Sequence, residues 1–167
     1  SHVHWDRKLD GLISQAMMSI NAVKGVEIGT GFHNTELPGS MVHDVIEPWS
    51  GDSRPYHHIT NRAGGIEGGM SNGEPVVVRV ALKPISTLSK PLPSVDMETG
   101  ERVQAHYERS DICQVPPACV IGESVLAIVL AGCFLEKFGG DHIEETRRNY
   151  YGFAEDLKRF NLGNKPD

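Results

Sequence analysis

The chain has 167 residues, 39% of them hydrophobic and 23% charged, and a formal net charge of -6, enough length for one domain with a core of its own. Its lysines and arginines are scattered in an acidic background, which excludes a broad basic face for nucleic acid or anionic lipid. Three cysteines, Cys113, Cys119 and Cys133, build no disulfide framework and match no zinc spacing, so no metal and a reducing, cytoplasmic setting are expected.

The sequence opens without an initiator Met and without a basic stretch followed by an apolar leader, so we expect no signal peptide and a chain that is part of a longer protein. Over residues 5–23, Trp5, Leu9, Leu12, Ile13, Ala16, Met17 and Ile20 recur at steps of three and four, which predicts one amphipathic helix stopped at Gly25. A short strand over 26–28 follows and ends in the turn Gly29-Thr30-Gly31. Residues 33–65 contain Pro38, Pro48 and Pro55 and keep no period. They predict a long loop region, mobile over about 33–62 and most of all over 49–58.

Five glycines fall within the eleven residues 63–73, allowing backbone conformations that side chains forbid and a close approach of amides to a ligand. A valine-rich strand over 75–82 leads to Lys83-Pro84, and a turn over 95–100 separates two extended segments. Pro116 and Pro117 precede an apolar helix over 118–138 that stops at Gly139-Gly140. Its most apolar stretch, 120–135, carries Glu123 and is expected to be too short for a membrane span and buried in the core. A last helix over 141–160 starts with Asp141 and Glu144 as a capping pair.

The chemistry-bearing residues leave their roles open on local pattern alone. The glycine-rich run lacks the Gly-Lys-Ser/Thr of a phosphate-binding loop and does not complete a dinucleotide fingerprint; by itself it reads first as a close-packed turn. Lys83 with Ser86 and Thr87 suits a phosphate, or is a solvated strand end. Arg109 and Asp111 form an ordinary ion pair or divide the work of holding an anion and moving a proton. His43, His57 and His58 read as surface or loop histidines, since neither a zinc-protease motif nor paired Cys/His spacing is present.

In order along the chain stand Ser19-Ile20-Asn21-Ala22-Val23-Lys24-Gly25-Val26-Glu27-Ile28-Gly29, Asn61-Arg62-Ala63-Gly64-Gly65-Ile66-Glu67-Gly68-Gly69-Met70, Lys83-Pro84-Ile85-Ser86-Thr87 and Arg109-Ser110-Asp111. Together they closely resemble the chorismate synthase family. Ile112 is unusual where that family has small residues or proline. The resemblance implies an α+β fold, a layered β-α-β-α sandwich of two related units, with this chain, 1–167, as roughly one unit from the C-terminal portion. It also implies a lyase that takes 5-enolpyruvylshikimate 3-phosphate to chorismate and phosphate by 1,4-anti elimination, using reduced FMN, in a cytoplasmic homotetramer of full-length chains. By the same resemblance Asn21, Ala22, Gly68, Lys83, Pro84, Ile85, Ser86, Thr87 and Arg109 contact FMN, and Asp111 assists removal of the ring proton. The family's substrate-holding arginines and proton-donating histidines lie upstream of this chain, as do the positions that decide whether NADPH or an external reductase reduces the flavin. An incomplete, inactive folding and oligomerisation module is therefore the alternative for the isolated chain.

Overall fold

The computed structural model describes residues 2–48, 54, 56–110 and 113–159. Helix α1, Leu9–Met18, buries Leu9, Ile13 and Met17, one residue per turn, and Ile13 is fully inaccessible. That spacing of four places all three on one face. Below them runs an antiparallel ribbon of β1, Val23–Ile28, and β6, Val78–Leu82. Alternation along the ribbon sends Val26, Ile28, Val78 and Val80 toward the α1 residues, with Ile66 completing the cluster.

The helix expected over 5–23 is shorter than its pattern. Trp5–Arg7 is a separate turn of 3-10 helix, and Lys8 has extended backbone before α1 begins. The stop is not Gly25, which lies within β1. The chain reverses at Ala22, whose φ is 71°, and Gly25 faces Ala81 across the ribbon, where a Cβ would lie 3.5 Å from the Ala81 methyl.

The region expected to be a loop holds short elements. After a 3-10 turn over Gly31–Glu36 come α2, Gly39–Val42, β2, Ile46–Pro48, and β3, Tyr56–His58, the last two paired antiparallel. Strands of three residues carry no readable period, which is why the pattern was silent. Of the segment 49–58 in which mobility is expected, 49–53 and 55 lie outside the described residues. The glycine-rich run forms a hairpin of β4, Ile66–Glu67, and β5, Met70–Ser71, whose two loop residues Gly68 and Gly69 both have positive φ, as a two-residue hairpin turn requires. A second hairpin pairs β7, Pro93–Val95, with β8, Arg102–Gln104; Asp96 accepts hydrogen bonds from the Glu98 and Thr99 amides to shape its turn.

Helix α3, Val115–Phe138, begins with its prolines inside the first turn, where the missing N–H groups have no helical partner to lose. Val125, Leu126, Val129, Leu130 and Cys133 pack on the core. The opposite side does not follow expectation: Val120, Ile121, Ile128 and Leu135 are about half exposed or more, so α3 is a one-sided lid on α1. At 24 residues, with a mean hydropathy of 2.3 over its most apolar 18-residue window, it is also long and apolar enough to cross a membrane by length and composition, contrary to the expectation of a stretch too short. Composition alone failed here because α3 is apolar nearly all round, while its partners within the described residues, the core on one side and α4 at its C-terminal turns, leave much of it uncovered.

Helix α4, Ile143–Arg159, returns along α3 through an aromatic cluster of Phe134, Phe138, Tyr150 and Phe153. Glu145, rather than Glu144, reaches back to the Asp141 amide at 2.9 Å, and Glu144 instead pairs with Arg147. Asn149 donates to the carbonyls of Phe138 and Gly139, satisfying two acceptors at the α3 C-terminus. The whole is an α+β arrangement of helices over short antiparallel ribbons.

Candidate functional site

At the C-terminal end of α1 the chain passes through Ser19, Ile20 and Asn21 into the left-handed residue Ala22. The Ala22 carbonyl accepts a hydrogen bond of 2.7 Å from the Lys83 amide, so the start of β1 and the end of β6 are locked side by side. This junction opens onto a cavity of about 710 Å³ lined by Asn21, Ala22, Lys24, Lys83, Pro84, Ile85 and Ser86, with Gln114, Pro117, Ala118 and Ile121 from the start of α3 completing the wall. Six of the residues expected to contact a cofactor thus converge in one place, although the two segments are about sixty residues apart in sequence.

Among the described residues the lining carries two ammonium groups and no carboxylate. The N-terminal end of α3 adds a partial positive charge to the same side. One wall is apolar, from Ile20, Leu82, Ile85, Pro117 and Ile121. A cavity of this size lined by both apolar side chains and lysines suits an amphiphilic, anionic ligand.

Thr87 and Arg109 do not line the cavity, but they are tied to it. The Thr87 hydroxyl donates to the Glu108 carbonyl at 3.0 Å and accepts from the Glu108 amide at 2.8 Å. This reciprocal pair holds the segment carrying Arg109 against the segment carrying Lys83 and Ser86. Asp111 lies outside the described residues. Gly68 sits elsewhere: the adjacent Gly69 carbonyl accepts from the Leu9 amide at 2.9 Å, which places the hairpin turn at the N-terminal end of α1, a helix length of about 15 Å from the cavity end.

The glycine-rich run is organised by close backbone packing. A Cβ on Gly29 would lie 2.0 Å from the Arg62 carbonyl oxygen, and one on Gly64 would lie 2.3 Å from the Gly29 amide nitrogen. Asp44 secures this crossing: its carboxylate accepts from the Thr60 hydroxyl at 2.5 Å and the Arg62 and Ala63 amides at 2.8 and 2.9 Å. Burial pushes the Asp44 carboxyl up, but the hydrogen bonds from Thr60, Ala63 and Arg62, with attraction to His58, outweigh it and hold the group below its ordinary 3.8. His58 corrects the expectation of a surface histidine. Its side chain is only 4% exposed, with Nε2 3.4 Å from Glu67 and Nδ1 3.5 Å from Glu74, linking β3 to the glycine-rich hairpin. The His58 amide donates to Glu74, and this bond, with Arg54 nearby and against the opposing effect of burial, keeps the Glu74 carboxyl below its usual range. Among the described residues no group of His, Cys, Asp and Glu is arranged to hold a metal ion.

Lys24, Gln114, Pro117 and Ile121 are lining residues that sequence reasoning missed. Lys24 sits inside a recognised motif, but nothing local reveals where its side chain goes. The α3 residues carry no chemical signature and enter the site only through the packing of α3 beside α1.

The chain is thus of the α+β class, with a partly apolar cavity at a helix-strand junction that two lysines line. A protein-family model described as chorismate synthase matches residues 1–135. Chorismate synthases of Pelobacter propionicus and Geobacter metallireducens are 54% and 56% identical to 95% and 96% of the chain, and that of Geotalea daltonii is 57% identical over 165 residues. A crystal structure titled chorismate synthase superposes with a TM-score of 0.77 at 46% identity over 96% of the chain. The chain belongs to the chorismate synthase family. It spans about 42% of the length of these relatives and 40% of that solved structure.

Proposed function

We propose that this chain contributes one side of a reduced-FMN site to a cytoplasmic, homotetrameric lyase that converts 5-enolpyruvylshikimate 3-phosphate to chorismate and phosphate by 1,4-anti elimination. The observation that carries the proposal is the convergence of Asn21, Ala22, Lys83, Pro84, Ile85 and Ser86 on one cavity that Lys24 and Lys83 both line. Those residues fit a flavin mononucleotide: Lys83 and the Ser86 hydroxyl would hold anionic or polar groups, Asn21 supplies an amide for hydrogen bonding, and Ile85 with the α3 wall offers apolar surface to a planar ring. Bound there, reduced FMN would supply electron density that stabilises the electron-deficient transition state. Arg109, held next to the site through Glu108 and Thr87, adds a guanidinium suited to an anionic group. Asp111 is the carboxylate we assign to removal of the ring proton. Gly68 belongs to the same proposed site in the assembled enzyme. Free thiols at Cys113, Cys119 and Cys133 support a reducing compartment.

A second reading concerns the isolated chain: a folding and association module without turnover. The chain spans about 42% of its relatives, and the outward side of α3 is apolar and exposed, as expected of a surface that normally has a cover. One experiment addresses both readings. Titration with FMN under reducing, anaerobic conditions, with and without 5-enolpyruvylshikimate 3-phosphate, is expected to give weak FMN binding and no phosphate release. Absence of FMN binding at millimolar concentration would remove the flavin-site proposal for this chain. Turnover by the isolated chain would refute the module reading.

A further inference from the structure

The ribbon that carries the cavity has an irregularity at the cavity edge. From Ile28↔Val78 through Val26↔Val80 the pairing is regular, and Gly25 faces Ala81; then Val23, not Lys24, faces Leu82. Lys24 is the extra residue of a β-bulge. Without the bulge, Lys24 would fall opposite Leu82 on the side of Val26 and Ile28, the side that packs on α1. The bulge places Val23 there instead, 3% exposed, and turns Lys24 to the cavity wall. Lys24 is exposed there, as Lys83 is, so both ammonium groups are open to a ligand entering from solvent. The bulge brings Lys24 to the cavity that Lys83 also lines, and among the described residues neither lysine has an ion pair or side-chain hydrogen bond. Bulges commonly re-aim a side chain next to a site in this way.

Two exposed ammonium groups line one cavity, with no carboxylate among its described lining residues, so the local potential favours an anion even in a chain of net charge -6. We propose that Lys24, aimed by the β-bulge, is a phosphate-binding residue that acts with Lys83 on a phosphate monoester dianion. This rests on the proposed flavin and substrate site and deepens it. Both FMN and 5-enolpyruvylshikimate 3-phosphate present that chemistry.

The test is an amide-resolved NMR titration of the chain with FMN, with riboflavin as the phosphate-free control, with inorganic phosphate, and with 5-enolpyruvylshikimate 3-phosphate. Wild type, Lys24→Gln and Lys24→Arg are compared. The expected result is that Lys24→Gln weakens binding of a phosphate monoester on the order of tenfold, the value of one charge-assisted hydrogen bond. Riboflavin affinity should be unmoved, which also verifies a folded variant, and Lys24→Arg should restore much of the loss. Loss toward FMN assigns Lys24 to the flavin phosphate, and loss toward the substrate alone assigns it to the substrate phosphate. If wild type binds phosphate-bearing ligands and Lys24→Gln binds them equally well, the Lys24 proposal is overturned while the site reading stands. If wild type binds none of them, the site reading falls and this proposal falls with it.

Discussion

Asp44→Ala tests the claim that one carboxylate holds the glycine-rich crossing in place. Asp44 accepts three hydrogen bonds, two of them from the backbone amides of Arg62 and Ala63, and Arg62 in turn offers its carbonyl to the Thr30 amide at 3.0 Å. Alanine leaves those donors to solvent or to nothing. Because Asp44 is only half-buried, a discounted value of about 1 kcal/mol per bond is appropriate, for a total loss of about 3 kcal/mol. That is a large share of the roughly 5–15 kcal/mol of a typical domain. With a urea dependence of about 2 kcal/mol per molar, the unfolding midpoint should fall by about 1.5 M. Asp44→Asn, which keeps one acceptor oxygen, should lose about half as much. The pH dependence has a definite sign. The folded-state carboxyl titrates below its ordinary 3.8, so its contribution is fully present above that value and disappears as pH falls through the depressed one. The stability gap between wild type and Asp44→Asn should therefore be flat from neutral pH down to about pH 4 and close below it. Urea melts across that range, with hydrogen exchange at Arg62 and Ala63, measure it directly. A midpoint for Asp44→Ala within about 0.3 M of wild type, about 0.6 kcal/mol, would refute the assignment of a structural role to these bonds.

Ile13→Ala should cost about 2–5 kcal/mol by opening a cavity at the one fully inaccessible side chain of the α1 face; a chemical melt decides, and a loss under 1 kcal/mol would mean that the core collapses around the gap. Gly29→Ala and Gly68→Ala should separate clearly, although both glycines have positive φ. The first drives a Cβ to 2.0 Å from a backbone carbonyl, whereas the second meets nothing within 4 Å, so soluble yield and melting temperature should drop severely for Gly29→Ala and by only about 1 kcal/mol equivalent for Gly68→Ala. Thr87→Val removes both hydrogen bonds to Glu108 and should accelerate amide exchange at Glu108 while leaving the β1–β6 ribbon protected; unchanged exchange would show that the tie does not position the Arg109 segment. In the full-length enzyme, Asp111→Asn should lower turnover while largely preserving FMN affinity, and unchanged turnover would defeat its assignment as the proton-removing group.

Local periodicity made part of this architecture legible. The recurrence of Leu9, Ile13 and Met17 announced the buried face of α1, and the valines before Lys83 announced β6, because both patterns repeat within one element. The order of four motifs was likewise enough to indicate the family. The sequence misjudged α3 because an all-apolar helix has no preferred side until neighbours are present, and α1 covers only one. It misjudged His58 because burial between Glu67 and Glu74 joins segments that are local to neither. The cavity itself depends on pairing across some sixty residues, and the bulge that exchanges Val23 for Lys24 on the core face exists only in relation to Leu82. A sequence specifies which residues can bear charge or pack; register between distant strands and the side from which a helix approaches are decided by the summed packing of the folded chain, and those two choices bring Lys24, Lys83 and the start of α3 to the same rim.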